Sequence, residues 1–320
     1  MMLSASKSTA KTVARARRTP PRQSPAAPPL NATMTCETAF RTMARHYLKE
    51  ITAQHRGTCG GDADALHEMR IALTRFRTTI ELFRPMVTDL QQIRLADDLK
   101  WLNSHLGVAR DLDVAIERLT DENGKRPKEP GRKPGTTEIQ AWHEERDRQQ
   151  RHLARVLRSV KYKRLIKSIL HWIEKGSWTK QRGKKAAGIR ATAFTEYGAR
   201  RVMRWQEKLV RRSRKLKDIS ARKRHRLRLM NKRLTYAAES VSELISGSEM
   251  PNLQAMLKVL RKAQRSLGKL NDDERCRSIA ATIAQERAVT RLLGPKRERH
   301  LVRAAVAAYR KLAKLQPIRI

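Results

Sequence analysis

From Thr35 onward, apolar residues recur at intervals of three and four positions, and no convincing stretch alternates between apolar and polar residues. This spacing is that of one face of an α-helix, whereas alternation is typical of a half-buried strand. The sequence therefore predicts an all-α protein. The predicted helices span residues 35–55, 62–84, 88–109, 111–120, 138–175, 191–217, 220–246, 252–268, 272–292 and 296–314.

Glycine and proline mark several of the predicted helix boundaries. Gly60 and Gly61 separate the first two helices, and Pro85 ends the second. Pro251 and Pro295 stand where a proline can begin a helix, because the first turn needs no amide donor.

Hydrophilic segments divide the chain further. Residues 121–136 predict a linker and residues 176–190, which contain several glycines, predict a loop, while Ser159 is a candidate break within 138–175. Residues 1–33 carry basic residues and no acid among Ser, Ala and Pro, so we expect a disordered basic tail. The composition of this tail also fits an organellar transit peptide, although little apolar moment accompanies the charge.

The remainder, residues 34–317, contains an internal repeat. The segment LHEMRIALTRFRTTIE at 66–81 is similar to RHRLRLMNKRLTYAAE at 224–239, with a constant offset of 158. Further on, LGVARDLD at 106–113 matches LGKLNDDE at 267–274 with an offset of 161. The sequence therefore predicts two copies of one helical unit, at about 34–175 and 190–317.

A polar, cationic stripe runs beside the apolar seam in each copy. In the first copy it contains His67, Arg70 and Arg77, which follow helical spacing one position round from the seam. In the second copy, Arg228 and Lys232 continue the equivalent row from His225. Such a stripe is either a solvated face that borders a core or the edge of a groove between packed helices.

The charge balance favours the groove. The 71 Lys and Arg residues against 31 Asp and Glu residues give a net charge of +40, which points to a polyanionic partner such as nucleic acid, an anionic membrane or polyphosphate. A further row with helical spacing contains Arg201, Arg204 and Lys208. Like charges at this spacing destabilise an isolated helix by about 0.2–0.5 kcal/mol per pair, so an external linear anion would stabilise such rows.

Other kinds of function find less support. Cys36, Cys59 and Cys276 form no CxxC pair, which argues against a disulfide framework or a zinc site and suits a reducing cytosol. No segment approaches the roughly 18 consecutive apolar residues of a membrane span, and the N-terminus lacks the apolar core of a secretory signal. We expect a soluble, cytoplasmic protein that does not insert into membranes.

A metal or acid–base site finds little support in the carboxylates and histidines. Asp111 with Asp113 in RDLDV, like Asp272 with Asp273, could form a Mg²⁺ or acid–base site, but we expect Asp111 to cap a helix that begins there. Gly107 and Gly268 fit helix C-terminal positions. Because Arg70 lies three residues from His67, that histidine is expected to remain uncharged and to hold no metal ion. No catalytic residue, cofactor or metal is predicted.

The blocks LHEMRIALTRFR, LKWLNSHLGVARDLDV, HRLRLMNKRLTYAAE and QRSLGKLND, in this order, resemble the CHAD family, the conserved-histidine α-helical domain, over about residues 36–315. The resemblance implies two four-helix bundles related by a pseudo-twofold axis, with basic side chains lining a central groove or pore that binds inorganic polyphosphate. The positions that match are His67, Arg70, Arg75, Arg77, Lys100, His225, Arg228, Lys232, Arg233 and Arg261. The candidate site is completed by Arg201, Arg204, Lys208 and Lys258.

Two positions depart from the family pattern, since Thr74 and Thr235 stand where the family usually has basic residues. The expected function is nonetheless noncatalytic binding of polyphosphate and association with polyphosphate granules. The alternative is a basic helical nucleic-acid-binding protein. No helix-turn-helix or RNA-binding module is recognisable, and the cationic rows lack interleaved aromatic residues that would stack on bases.

Overall fold

The computed structural model describes residues 28–120, 136–244, 249–283 and 295–316. Within these ranges the backbone is helical and forms no strand, apart from one isolated bridge between Thr35 and Ala193. The helices are α1 Cys36–Ala53, α2 His55–Cys59, α3 Ala63–Leu82, α4 Arg84–Val87, α5 Leu90–Thr120, α6 Thr136–Arg158, α7 Val160–Lys175, α8 Lys184–Ala191, α9 Phe194–Ser213, α10 Ala221–Ser242, α11 Met250–Thr282 and α12 Pro295–Leu312. Short 3₁₀ turns span Ser177–Lys180 and Leu216–Asp218.

The all-α prediction is confirmed, whereas two predicted helix breaks are wrong. The predicted helices 88–109 and 111–120 are the single helix α5, and the segments 252–268 and 272–292 join in α11, which ends at Thr282. Gly107 and Gly268 therefore lie inside helices rather than at their C-termini. A glycine in a helix interior costs only about 1 kcal/mol relative to alanine, which packing along a long helix offsets.

Other predicted boundaries are confirmed. The Ser159 side chain caps α7 by accepting a hydrogen bond from the Tyr162 amide. Gly61 has a φ of 87°, a conformation that glycine adopts without strain, and it leads into the Asp62 cap of α3. The loop predicted at 176–190 is instead a 3₁₀ turn followed by α8. The predicted tail and the predicted linker fall almost entirely outside the described residues.

The helices pack in two sets that meet at the repeated segments. In the first set α1 packs on α3, α3 on α5, and α5 on α6 and α7; in the second, α9 packs on α10, α10 on α11, and α11 on α12. Between the sets, α3 contacts α10 and α5 contacts α11. These four helices carry the two similar sequences, so the cationic stripes lie near one another. The pseudo-twofold relation itself stays a prediction.

Buried apolar side chains from both sets form one large core, and a smaller cluster lies between α5, α6 and α11. The Phe40 ring lies 5.6 Å from Phe83, 5.5 Å from Trp172 and 5.1 Å from Trp178, each in an edge-to-face arrangement. Phe83 in turn packs 5.2 Å from Phe194 at the start of α9. Edge-to-face aromatic pairs contribute about 0.5–1.5 kcal/mol each beyond the area they bury. The Phe83–Phe194 contact joins the two helix sets. No helix of the described ranges is long and apolar enough to cross a bilayer.

Candidate anion-binding site

A group of charged side chains lies where α3, α5, α10 and α11 meet. Its cations are Arg70 from α3 with Arg228 and Lys232 from α10, and its acids are Asp111 from α5 and Asp272 from α11. The charges of Arg228 and the two aspartates contribute to the pKa shift of Arg70, and those of Arg228, Arg70 and Asp272 contribute to the shift of Lys232. We call this group the central cluster.

Arg70 is the most firmly held cation of the central cluster. Its Nη1 donates a hydrogen bond to the carbonyl oxygen of Leu106 on α5 at 2.9 Å. A Cβ atom on Gly107 would lie 3.4 Å from that nitrogen, so the glycine leaves room for the guanidinium. Burial lowers the pKa of Arg70, Asp111 acts in the opposite direction, and the charges of Arg228 and Arg110 lower it further.

The two cations on α10 have fewer partners. Arg228 Nε is buried and has no hydrogen-bond partner among the described residues. Burial lowers the pKa of Lys232 from its usual 10.5 to about 7, and the neighbouring Arg228 and Arg70 contribute to the shift. A buried donor without a partner is costly, and so is a buried ammonium group. The central cluster therefore contains one buried donor, Arg228 Nε, that the described residues leave unsatisfied, beside the desolvated Lys232.

The carboxylates of the central cluster neutralise it only in part. Asp111 pairs with Arg275 at 3.5 Å and Asp272 with Arg118 at 3.4 Å. Burial raises the pKa of Asp111, while Arg70 and Arg275 act in the opposite direction. Asp111 lies in the interior of α5, so its predicted role as a helix cap is wrong.

The two histidines of the repeat occupy different surroundings. His67 is exposed, but partial desolvation by the neighbouring helices lowers its pKa to about 4, and the cations Arg110, Lys232 and Arg70 contribute, so the imidazole is neutral near pH 7. His225 instead shares a short contact of 2.5 Å between its Nδ1 and Asn271 Oδ1, at the edge of a cavity of about 340 Å³. Across the described ranges, no three His, Cys, Asp or Glu side chains gather into a potential metal site.

Two other predicted site residues are held by one carboxylate. Arg75 Nη2 lies 3.5 Å from Glu239 Oε2, and Arg261 Nη2 lies 3.0 Å from Glu239 Oε1. Arg75 also lies over the Tyr236 ring, 5.3 Å from its centroid. These contacts join α3 to α10 and α10 to α11, so Arg75 and Arg261 support the helices around the central cluster.

Lys100 and Lys258 extend the cationic surface along the helices. Lys100 is exposed on α5 and shares a helical face with Gly107 and Asp111, which follow at seven and eleven positions. At 1.5 Å per residue it lies about 10 Å from Gly107 along the helix axis. Lys258 is exposed on α11, about four turns before Asp272.

The remaining predicted site residues lie on α3, α9 and α10, in a second region of the protein. Burial and the charge of Arg233 lower the pKa of Arg77, so these two side chains are neighbours. Arg201 donates a hydrogen bond to the Glu81 carbonyl oxygen at 3.1 Å, and Arg204 is exposed on α9. A cavity of about 310 Å³ lies here, and we call it the Trp205 cavity. It is lined by Glu81, Trp205, Lys208, Arg212, Arg226, Leu229, Met230 and Arg233.

Both threonines that replace family cations bond to their own helix. Thr74 Oγ1 donates to the Arg70 carbonyl oxygen at 2.8 Å, and Thr235 Oγ1 donates to the Asn231 carbonyl oxygen at 2.9 Å. Thr235 is buried. Each hydroxyl is thus satisfied within the helix, and neither needs a ligand.

Sequence reasoning missed Arg110 and Arg275, considered Asp272 only as a possible metal or acid–base residue, and misassigned Asp111. The sequence signal for Asp111 and Asp272 is their spacing. Each lies four positions after a glycine in a continuous helix, on the helical face that meets the other helix set. The repeat aligns Gly107 with Gly268 and Asp111 with Asp272, but the helix break predicted at Gly107 assigned Asp111 a capping role instead.

Replacing Lys232 with methionine should stabilise the protein. The folded-state pKa of about 7 lies below the usual 10.5, so the unfolded chain binds more protons between these pH values, and wild-type stability should rise with pH across that window. The Lys232→Met variant should gain on the order of 1 kcal/mol or more at pH 7, because it buries no charge. The gain should shrink as pH approaches 10.5.

Denaturant unfolding of both proteins across this pH range measures the effect. Lys163→Met on the exposed face of α7 is the control and should change stability little. Two results would show that Lys232 is not a desolvated cation: a Lys232→Met variant less stable than wild type at pH 7, or a difference in unfolding free energy that is the same at every pH.

The fold and the central cluster define an all-α protein with cations gathered between paired helices. The CHAD domain family model matches residues 42–281, three quarters of the chain, and the chain therefore belongs to the CHAD domain family.

Two solved structures share its fold. The crystal structure of the CHAD domain from the plant Ricinus communis aligns with a TM-score of 0.72 and 23% sequence identity, covering 92% of this chain and 97% of that chain. PptA from Streptomyces chartreusis aligns with a TM-score of 0.55 and 14% identity, covering 87% and 99%. At these identities the likeness concerns the fold. No curated protein matches the sequence.

Proposed function

We propose that this protein binds inorganic polyphosphate without catalysing a reaction, and that the central cluster is its principal site. The observation that carries the proposal is the surroundings of Arg228 and Lys232. Arg228 Nε is buried without a hydrogen-bond partner among the described residues, and burial, together with the charges of Arg228 and Arg70, lowers the pKa of Lys232 to about 7. An anion placed between them would satisfy these donors and remove the repulsion.

A linear chain of phosphates suits the site better than a single phosphate does. Exposed Lys100 on α5 and Lys258 on α11 continue the positive surface beyond the central cluster. Polyphosphate carries negative charge on every unit, so one chain can contact the buried cations and the exposed lysines together. Arginine would supply paired donors to phosphoryl oxygens and lysine a point charge.

The carboxylates support a noncatalytic role. Asp111 and Asp272 are ion-paired with Arg275 and Arg118, and a metal ion beside them would also face Arg70 and Arg228. Cations in these positions oppose the binding of Mg²⁺, which hydrolysis of phosphate chains usually needs. The proposed function is therefore to bind the polyphosphate chain without cleaving it.

Competition binding separates polyphosphate from nucleic acid as the preferred ligand. Labelled long-chain polyphosphate bound to the protein is displaced with unlabelled polyphosphate, DNA or RNA at matched phosphate concentration and salt. We expect polyphosphate to displace the label at a concentration lower by about tenfold or more, a difference of 1.4 kcal/mol. Equal displacement by DNA or RNA would favour the nucleic-acid-binding alternative.

The same preference should decide location in a cell. A fluorescent fusion of the whole chain should collect on cytoplasmic polyphosphate granules, and it should become diffuse in a matched cell line that cannot make polyphosphate. A nucleoid pattern in cells that contain granules would contradict the proposal.

A further inference from the structure

The Trp205 cavity is separate from the central cluster. On α10, Arg226, Met230 and Arg233 occupy a different helical face from Arg228 and Lys232. Its other walls come from α3 and α9, whereas the central cluster is formed with α5 and α11. A ligand in this cavity would therefore contact a different set of side chains.

Four cations line the Trp205 cavity: Lys208, Arg212, Arg226 and Arg233. Among its described lining residues the one carboxylate is Glu81, which lies 3.9 Å from Arg84. The charge of Arg233 also lowers the pKa of Arg77, so repulsion between cations is present here too. This excess of positive charge favours an anionic ligand.

The cavity also has an apolar wall, which a bare phosphate chain would not use. Trp205, Leu229 and Met230 line it. The guanidinium of Arg201 lies over the Trp205 ring, 5.4 Å from its centroid, and a hydrogen bond to the Glu81 carbonyl oxygen holds that guanidinium in place. An indole fixed in this way can stack against a planar aromatic group without losing much side-chain freedom.

Glu81 distinguishes a nucleoside from a plain phosphate. Its carboxylate would repel phosphate oxygens, but it can accept hydrogen bonds from an exocyclic amino group or from ribose hydroxyls. The cavity volume of about 310 Å³ lies at the lower end of the range for small-molecule sites. We propose that the Trp205 cavity binds a nucleoside polyphosphate, with the base on the Trp205, Leu229 and Met230 wall and the phosphates on the cationic rim.

Adenosine triphosphate and tripolyphosphate form a matched pair of probes, because both carry three linked phosphates and only the first carries a base and a sugar. Calorimetry is carried out on the Arg228→Gln/Lys232→Gln variant, which removes two cations of the central cluster. We expect adenosine triphosphate to bind about tenfold more tightly than tripolyphosphate, the scale of one stacked base. Equal affinity for the two probes would overturn the proposal.

Two further substitutions in that background test the assigned wall and carboxylate. Trp205→Leu should remove most of the preference for adenosine triphosphate over tripolyphosphate, because the stacking surface is lost while Glu81 remains. Glu81→Gln leaves the apolar wall intact. It should weaken the binding of adenosine triphosphate, because the carboxylate acceptor is lost, and strengthen the binding of tripolyphosphate, because a repulsive charge is lost. If neither substitution changes the difference between the probes, the base does not bind here. Loss of polyphosphate binding in the Arg228→Gln/Lys232→Gln background reports separately on the central cluster.

Discussion

Replacing Arg228 and Lys232 together with glutamine should lower the affinity for long-chain polyphosphate by more than about a hundredfold. Each charged hydrogen bond that is lost costs about 1.5–3 kcal/mol, and 1.4 kcal/mol corresponds to a tenfold change in affinity. Glutamine removes the positive charge and keeps a polar side chain, so the four packed helices should remain folded. Calorimetry with the wild type and the variant measures the change, and circular dichroism checks the fold.

The matched control is Lys163→Gln with Lys167→Gln, on an exposed face of α7. It changes the net charge by the same amount, and α7 packs on α1, α5 and α6, away from α10. We expect this control to reduce affinity less than about threefold, since exposed charges act through screened, long-range attraction. If both variants lose affinity to the same extent, binding is diffuse electrostatic attraction and the central cluster is not the site.

The sequence predicted the part of the site that depends on local geometry. Side chains three and four positions apart share a helical face, so the spacing places His67, Arg70 and Arg77 in one row along the helix. The repeat then indicated Arg228 and Lys232 by offset alone. Neither step needed knowledge of which helices pack together, and both rows lie on α3 and α10, which are in contact.

The division of these residues into two groups could not be predicted in this way. Arg70 and Arg77 are two turns apart on α3, but Arg70 contacts α5, whereas Arg77 neighbours Arg233 near the Trp205 cavity. The cavity depends on where α9 packs, which the periodicity of α9 does not fix. Trp205 was not predicted as a site residue either, because one indole among many charged residues gives a weak sequence pattern.

Gly107 shows why a local signal can mislead. Glycine is common after a helix C-terminus and also where a backbone must lie close to another group. Here the second reason applies, since the Arg70 guanidinium lies against Gly107 and bonds to the Leu106 carbonyl oxygen. The contact joins residues 36 positions apart, which sequence spacing alone does not reveal.

The second large effect should be a preference for long chains. The central cluster can hold a few phosphates, and Lys100 and Lys258 offer further contacts along α5 and α11. Once one part of a chain is bound, the next contact is intramolecular, and linked contacts of this kind can raise affinity by about 10²–10⁴. We therefore expect long-chain polyphosphate to bind at least about a hundredfold more tightly than pyrophosphate.

Salt dependence tests the same idea independently. Each phosphate that the protein neutralises releases counterions, so the logarithm of affinity should fall with the logarithm of salt concentration, and more steeply for long chains than for pyrophosphate. Replacing exposed Lys100 and Lys258 with glutamine should reduce the slope for long chains and leave pyrophosphate binding almost unchanged, because pyrophosphate reaches only the central cluster. Calorimetry at two salt concentrations measures both slopes. Equal slopes and equal affinities for the two ligands would mean that a single phosphate subsite accounts for binding, and a linear polyanion would then have no advantage.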